Sequence, residues 1–189
     1  VPSALALRNA RSRHAGFARR AALAHAIVMA LSCLPPAAEA QLVVNDGATL
    51  TVDTPRAETS ATVGSSGTGT LNVVDGGALV VDGFAQLGVG GTGLLFQSGG
   101  TVSLTTGPLE LGGGGTYRLA GGVLEVGGAN GTNGTGTFEF AGGTLRVTTS
   151  PLTATAAASF AAGTTSTIDT NALAATWSGL FTGSGGLNK

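Results

Sequence analysis

Apolar and polar residues alternate along most of this chain, and the alternating runs are separated by pairs of glycine. Successive side chains of a strand point to opposite faces, so each run predicts a short β-strand with one buried face. Four related stretches carry the pattern: Gly67–Val81, Gly91–Leu104, Gly114–Val126 and Gly134–Val147.

The glycine pairs recur at a nearly constant interval in the low twenties. They begin at Gly76, Gly99, Gly121 and Gly142. A repeat of this length is typical of a solenoid, in which each unit buries its apolar face by stacking on the next. Glycine also supplies the positive φ angles that tight corners need. The sequence therefore predicts an all-β fold, a right-handed parallel β-helix with two or three short strands per coil.

The same register assigns strands and inward side chains. Strands are expected near 49–52, 70–74, 78–82, 94–97, 101–104, 116–119, 123–126, 137–140 and 144–147. After the glycine pairs, the expected inward residues are Leu79/Val81, Val102/Leu104, Leu124/Val126 and Leu145/Val147, with Leu50/Val52 as an earlier copy that starts at Gly47. Before the pairs they are Leu71/Val73, Leu94/Phe96, Tyr117/Leu119 and Phe138/Phe140. A third run contains Leu87/Val89 and Leu109/Leu111.

Outward positions on consecutive coils carry opposite charges. Arg118 and Glu139 share one offset from their glycine pairs, and Glu125 and Arg146 share another. In-register stacking would place each pair one strand spacing apart, about 4.8 Å. Such surface pairs contribute roughly 0–1 kcal/mol each, so they indicate register rather than function.

Two segments interrupt the rhythm. Asp53–Ser60 lengthens the first interval and is expected to be a protruding loop. Gly127–Gly134 is expected to replace the third strand of its coil with a turn-rich bulge.

Residues 1–40 have the organisation of a secretory signal peptide. Several arginines precede an apolar run, Ala21–Leu34, which is too short to span a bilayer. Ala38 and Ala40 form an A-x-A cleavage site, so the mature chain is expected to start at Gln41. The alternative interpretation is a buried N-terminal helix. We therefore divide the chain into a signal peptide, 1–40, and a region of β-helical repeats, 41–189.

Removal of the leader leaves little reactive chemistry. Residues 41–189 contain no His, Cys or Met, and their four basic and nine acidic residues give a net charge of −5. An acidic surface is a poor partner for nucleic acid or anionic lipid. The absence of His and Cys excludes zinc and copper sites of the usual kind, and it excludes a disulfide framework.

Candidate sites all have a simpler structural interpretation. Acidic residues beside glycines could hold calcium but are common in turns; they are Asp46, Asp75 and Asp82. Asp75 and Glu139 do not share an offset, so they are not a hydrolase carboxylate pair on one face. Asn130 and Asn133 match the glycosylation pattern through turn composition alone. Trp177 and Phe181 are either a ligand-facing aromatic pair or filling for a coil. The sequence therefore predicts no catalytic, cofactor-binding or metal-binding residue, and no cofactor.

The C-terminal region resembles a known family. Thr164–Asn171 (TTSTIDTN) and Trp177–Lys189 (WSGLFTGSGGLNK) resemble the lead-in to the autotransporter-associated β-strand repeat, and Val63–Val73 (VGSSGTGTLNV) resembles the repeats upstream of it. The resemblance implies a Gram-negative secreted passenger with a parallel β-helical stalk, which an outer-membrane barrel tethers in cis. The sequence stops at Lys189, inside the repeat and without a barrel, so we expect either a fragment or a lost anchor.

The sequence thus predicts an exported, non-catalytic surface stalk of the adhesin-like, autotransporter passenger type. It would be exported through the inner membrane to the cell surface, the outer membrane or the medium. Its partners would be glycans or proteins of a host surface or matrix, and no nucleic acid. The alternative is a fragment of a carbohydrate-active β-helical enzyme whose catalytic part lies beyond Lys189, and a third possibility is a soluble secreted or matrix protein without an anchor.

Overall fold

A computed structural model describes residues 40–127 and 132–189. These residues contain strands, turns and bends but no helix. Because the leader lies almost entirely in 1–39, the predicted signal peptide falls outside the described residues apart from Ala40. The strands are β1 (Ala40–Val44), β2 (Ala48–Val52), β3 (Pro55–Val63), β4 (Thr68–Val73), β5 (Ala78–Val81), β6 (Ala85–Leu87), β7 (Thr92–Gln97), β8 (Thr101–Leu104), β9 (Leu109–Leu111), β10 (Gly115–Leu119), β11 (Val123–Val126), β12 (Thr132–Gly134), β13 (Thr137–Phe140), β14 (Thr144–Val147), β15 (Leu152–Ala154), β16 (Ala157–Phe160), β17 (Thr165–Asp169), β18 (Ala175–Trp177), β19 (Phe181–Gly183) and β20 (Gly186–Asn188).

The strands form three faces of a parallel β-solenoid with about seven coils. Face one is the sheet β2-β4-β7-β10-β13-β16-β19, with one strand per coil. Face two continues β3 into β5, β8, β11, β14, β17 and β20, and face three runs from β1 through β3, β6, β9 and β12. A separate parallel pair, β15 and β18, follows in chain order. The predicted all-β parallel solenoid is therefore confirmed, with three strands in each regular coil.

The nine strands predicted from alternation all occur near their expected bounds. The predicted inward residues that follow the four glycine pairs are all buried, as are those of β4, β10 and β13. One glycine of each pair has a positive φ: Gly76, Gly100, Gly122 and Gly142. The repeat interval and the alternation together therefore locate most of the core.

One strand has the opposite orientation from the prediction. In β7 the buried side chains are Leu95 and Gln97, whereas Leu94 and Phe96 are only half-buried. Gly93 determines which side chains of β7 point inward, because it is the register partner of a glycine on each neighbouring coil. A Cβ atom at Gly93 would overlap a backbone oxygen of the preceding coil, so this position has no room for a side chain.

One further inward assignment is wrong, and one strand with correctly predicted inward residues lies on a different face than expected. Val89 is 54% exposed, and the third run of that coil buries Ala85 and Leu87 instead. Leu50 and Val52 lie in β2 on face one, where they pair with β4, rather than on face two. Gly47 is consequently not equivalent to the later glycine pairs.

Both expected irregularities contain strand residues. Asp53–Ser60 was expected to protrude, but β3 begins at Pro55 and turns from face two to face three, pairing first with β5 and then with β6. Thr132–Gly134 supplies the third strand of its coil by pairing with β9. The remainder of the expected bulge, 128–131, lies outside the described residues.

The core is a stack of side-chain columns along the axis. Face one contributes a column that changes from leucine to aromatic residues, and the rings Tyr117 and Phe138 stack with centroids 5.2 Å apart. Phe140 and Phe160 stack in the neighbouring column at 5.1 Å. Burial of these large apolar surfaces is the main stabilising contribution of the later coils.

Candidate functional site

The predicted cleavage site lies where strand pairing begins. Ala38 is outside the described residues, whereas Ala40 and Gln41 open β1 and are exposed. Ala40 pairs with Glu58 and Gln41 with Ser60, with an irregularity in register between them. The expected mature chain would therefore start directly in the first paired strand.

The outer surface carries the predicted charge pairs. Arg118 and Glu139 are register partners, with Nε and Oε2 3.5 Å apart. Glu125 and Arg146 are also register partners, with their side-chain atoms 3.6 Å apart. The predicted coil register is confirmed at both positions.

The charge ladder on face two has a third member that the sequence prediction missed. Asp169 is the register partner of Arg146 on the next coil, and Arg146 Nε donates to Asp169 Oδ2 at 2.9 Å. On the preceding coil, the register partner of Arg146 is Glu125, so the Arg146 guanidinium lies between two carboxylates. Asp169 lies beyond the four regular glycine pairs, so the offset from a glycine pair does not identify it. The sequence signal that could have revealed it is its distance from Arg146, which equals one repeat interval.

Both arginines of the regular coils are occupied by structural contacts. Arg118 lies over the ring of Phe96, 5.6 Å from its centroid, and beside Glu139. Arg146 bridges its two carboxylates. Both guanidinium groups therefore take part in contacts between neighbouring coils.

Arg146 should make a small pH-dependent contribution to stability through Asp169, an exposed carboxylate. The hydrogen bond from Arg146 lowers the pKa of Asp169 below its usual value, with help from the Asn171 backbone N–H. A lowered folded-state pKa stabilises the protein above the unfolded-state value and loses that effect as pH falls through the folded-state value.

We therefore expect the melting temperature of Arg146→Gln to fall below wild type near pH 6 and to approach wild type near pH 2–3. Thermal melts by circular dichroism at both pH values measure this difference. Thr144→Ser, on the same outer strand, is the uncharged control. An equal difference at both pH values would contradict this role for Asp169.

A polar pair lies inside the solenoid. Gln97 and Tyr117 are both buried, and the Tyr117 hydroxyl donates to Gln97 Oε1 at 2.6 Å. Gln97 Nε2 in turn donates to the backbone oxygens of Val123 and Gly100. Burial raises the pKa of Tyr117 well above its ordinary value. These contacts satisfy the pair internally, so it fills the core and offers no group to a ligand.

Replacing Tyr117 by phenylalanine should cost about 1–3 kcal/mol of unfolding free energy, because Gln97 Oε1 is left buried without a donor. Adding Gln97→Leu should recover part of this loss, since both polar groups are then removed. Urea unfolding of the two single variants and the double variant forms the cycle. Additive losses in the double variant would show that the two side chains do not act as a pair.

Trp177 and Phe181 lie against the aromatic rings of the later coils. The Trp177 indole N–H donates to the backbone oxygen of Ala156 at 2.8 Å, and its ring lies 5.6 Å from both Phe138 and Phe140. Phe181 contacts Trp177 and Phe160 but is 46% exposed. The coil-filling interpretation therefore accounts for Trp177, whereas Phe181 lines an apolar cavity together with it.

The final coil leaves an apolar cavity of about 220 Å³ at the end of the rod. Its lining includes Leu152, Ile168, Trp177 and Leu187. Leu180 nearby is 71% exposed. The cavity wall offers few polar groups that could orient a specific ligand.

The acidic residues considered for calcium take part in corner contacts. Asp46 adopts a positive φ, and its Oδ1 accepts from the Ser66 hydroxyl at 3.4 Å. Asp82 Oδ1 accepts from the Thr105 hydroxyl at 2.7 Å. Among residues 40–127 and 132–189, no three His, Cys, Asp or Glu side chains cluster as metal ligands would.

The remaining candidates lie apart from one another. Asp75 occupies a corner between β4 and β5, whereas Glu139 lies on face one in β13 beside Arg118. Asn130 is outside the described residues, and Asn133 lies within β12. In the described part of the chain, no helix is long and apolar enough to cross a membrane.

Comparison with known proteins adds no assignment. No protein-family model, no curated protein and no solved structure matches this chain. The stacked strands and their side-chain ladders are therefore the basis for a functional proposal.

Proposed function

We propose that this chain is an exported, non-catalytic stalk, part of an autotransporter-type passenger that displays its outer faces at the cell surface. Its coils would wind right-handed, as nearly all parallel crossover connections do. Its partners would be glycans or proteins of a host surface or matrix, and an outer-membrane barrel in cis would hold it in the full-length protein.

The observation that carries the proposal is the uninterrupted in-register stacking of face one. Its strands pair in parallel from β2 to β19 without a missing coil. Seven strands about 4.8 Å apart extend the face by roughly 29 Å. Side-chain ladders run along this rod inside and outside, as in Tyr117–Phe138 and Arg118–Glu139. A rod of this kind separates its two ends by a fixed distance, which is what a stalk requires.

Export is tested by the mature N-terminus. Producing the full chain in a Gram-negative host should yield a secreted or periplasmic protein that begins at Gln41, because the A-x-A site ends at Ala40. N-terminal sequencing of the exported fraction measures this. The matched control is Ala38→Leu, which should block cleavage and keep the leader attached. Folded exported protein with residues 1–40 intact would contradict the proposal.

Surface display and catalysis are separated by a second experiment. In cells that carry the natural gene, added protease should degrade the region 41–189 while the cells stay intact, and antibodies to this region should label their surface. The same protein should leave a panel of acidic and neutral polysaccharides undegraded. Depolymerisation of any polysaccharide would favour the alternative, a carbohydrate-active enzyme.

A further inference from the structure

A carboxylate occupies a core position at the N-terminal end of the rod. Glu58 is only 3% exposed and is the register partner of Val81. The later coils continue this column with buried Leu104, Val126 and Val147. The first coil therefore places a charged group where the next four coils of the column have an aliphatic side chain.

This carboxylate is only half satisfied. Arg56 Nε donates to Glu58 Oε1. The second oxygen, Oε2, is buried and has no hydrogen-bond partner among the described residues. A buried charge with an unpaired oxygen is costly, so the site is suited to a second cationic donor.

The strand beside Glu58 begins at the predicted cleavage position. Ala40 is the register partner of Glu58, and Gln41 is the next residue of β1. Leu42 and Val44 of this strand are buried, and alternation gives the Ala40 side chain the same direction, although Ala40 is exposed at the start of the strand. Adjacent parallel strands lie about 4.8 Å apart, a distance that a glutamate side chain spans.

We infer that the α-ammonium group released at Gln41 by cleavage after Ala40 binds Glu58 Oε2. Cleavage breaks the Ala40–Gln41 peptide bond by hydrolysis, and the new amine takes up a proton at neutral pH. The Ala40 carboxylate leaves with the leader, and the new amine is the Gln41 nitrogen, which was bonded to the residue opposite Glu58. Arg56 and the α-ammonium would then hold one carboxylate oxygen each. This inference rests on the proposed export, because an uncleaved chain has no amine at this position.

The sequence makes the new amine easy to follow. Residues 41–189 contain one lysine, Lys189, so a chain made of these residues alone has two primary amines, the α-amine of Gln41 and the Lys189 side chain. Lys189 is exposed and serves as the internal reference. An N-terminal glutamine also cyclises with loss of ammonia when its amine is free and unprotonated, and pairing with a carboxylate opposes this reaction.

The experiment measures amine acylation at neutral pH by mass spectrometry, in folded and in urea-unfolded protein. In the folded wild type, the Gln41 amine should react at least about tenfold more slowly relative to Lys189 than in urea, the factor that corresponds to about 1.4 kcal/mol. Glu58→Gln should remove this protection and allow Gln41 to cyclise. Glu139→Gln, at a surface ion pair, should behave as wild type.

A second variant covers the case in which Glu58→Gln does not fold. A mature chain that begins two residues earlier keeps Glu58 but displaces the amine, and it should lose the protection while circular dichroism shows the same strand content. Equal reactivity of the Gln41 amine in folded and unfolded wild type, or complete cyclisation of Gln41 in the folded protein, would overturn the inference.

The starting material distinguishes this inference from the proposed export. If exported protein does not begin at Gln41, the export proposal fails. The protein is then produced with a removable N-terminal tag in place of the leader, and a protease removes the tag so that Gln41 becomes the first residue. Glu39–Lys189 form one compact unit by their contacts, so residues 1–38 of the leader are not part of it. Protection in that material supports the Glu58 site, and its absence refutes the site.

Discussion

Replacing Phe138 by alanine should lower the free energy of unfolding by about 3–5 kcal/mol, one of the two largest effects that we expect from a single substitution. Phe138 is fully buried and lies against the rings of Tyr117, Phe140 and Trp177. Truncation leaves a cavity among rings that belong to different coils, and the stacked strands prevent the walls from closing it.

Urea unfolding followed by circular dichroism measures the loss. Phe84→Ala is the matched control, because Phe84 lies outside the strands and is 40% exposed. We expect the control to change the unfolding free energy by less than about 1 kcal/mol, as most surface substitutions do. Similar losses at both positions would mean that the aromatic column is not the centre of the core.

Much of this core could be predicted from the sequence, because alternation and a fixed interval are local signals. The charge pairs Arg118–Glu139 and Glu125–Arg146 were placed correctly since side chains at one offset must stack when coils are in register. Tyr117, Phe138 and Phe140 were assigned to the inward face correctly for the same reason. Their contacts across coils depend on three-dimensional packing, which the pattern does not contain.

The errors arise where residue type and position disagree. Gln97 is polar but buried because Tyr117 and backbone oxygens satisfy its amide, whereas the apolar Phe96 lies outside beneath Arg118. Glu58 was missed because Asp53–Ser60 was predicted to be a protruding loop, whereas these residues enter β3. Its Oε1 accepts a hydrogen bond from Arg56. Alternation alone does not identify the hydrogen-bond partners of a polar side chain at such a position.

Alanine at Gly122 should be about as damaging as the loss of Phe138, at roughly 2–6 kcal/mol from two contributions of similar size. Gly122 has a φ of +70°, and a Cβ atom there would overlap the backbone oxygen of Gly100 on the preceding coil. The left-handed conformation costs a non-glycine residue about 1–3 kcal/mol. Displacement of the packed neighbouring backbone adds about 1–3 kcal/mol.

Gly163→Ala separates these two contributions. Gly163 has a similar φ of +75° but no atom within 4 Å of the added Cβ. It should therefore show only the conformational cost, and the difference between the two variants measures the close approach of the coils. Urea unfolding of both variants at one temperature gives this difference. Equal losses would show that the corner next to Gly100 is not tightly packed.

The parallel stacking of face one has a mechanical consequence. Hydrogen bonds between coils run along the axis, so tension applied along the rod loads one coil boundary at a time. On this face, register partners on successive coils are separated by one full repeat of the chain, as for Phe138–Ala158 and Thr68–Thr92. Each released coil would lengthen from about 4.8 Å to roughly 65–85 Å of extended chain. A rod built in this way would yield to a sudden pull in steps, and each step would dissipate energy while the coils behind it stay folded.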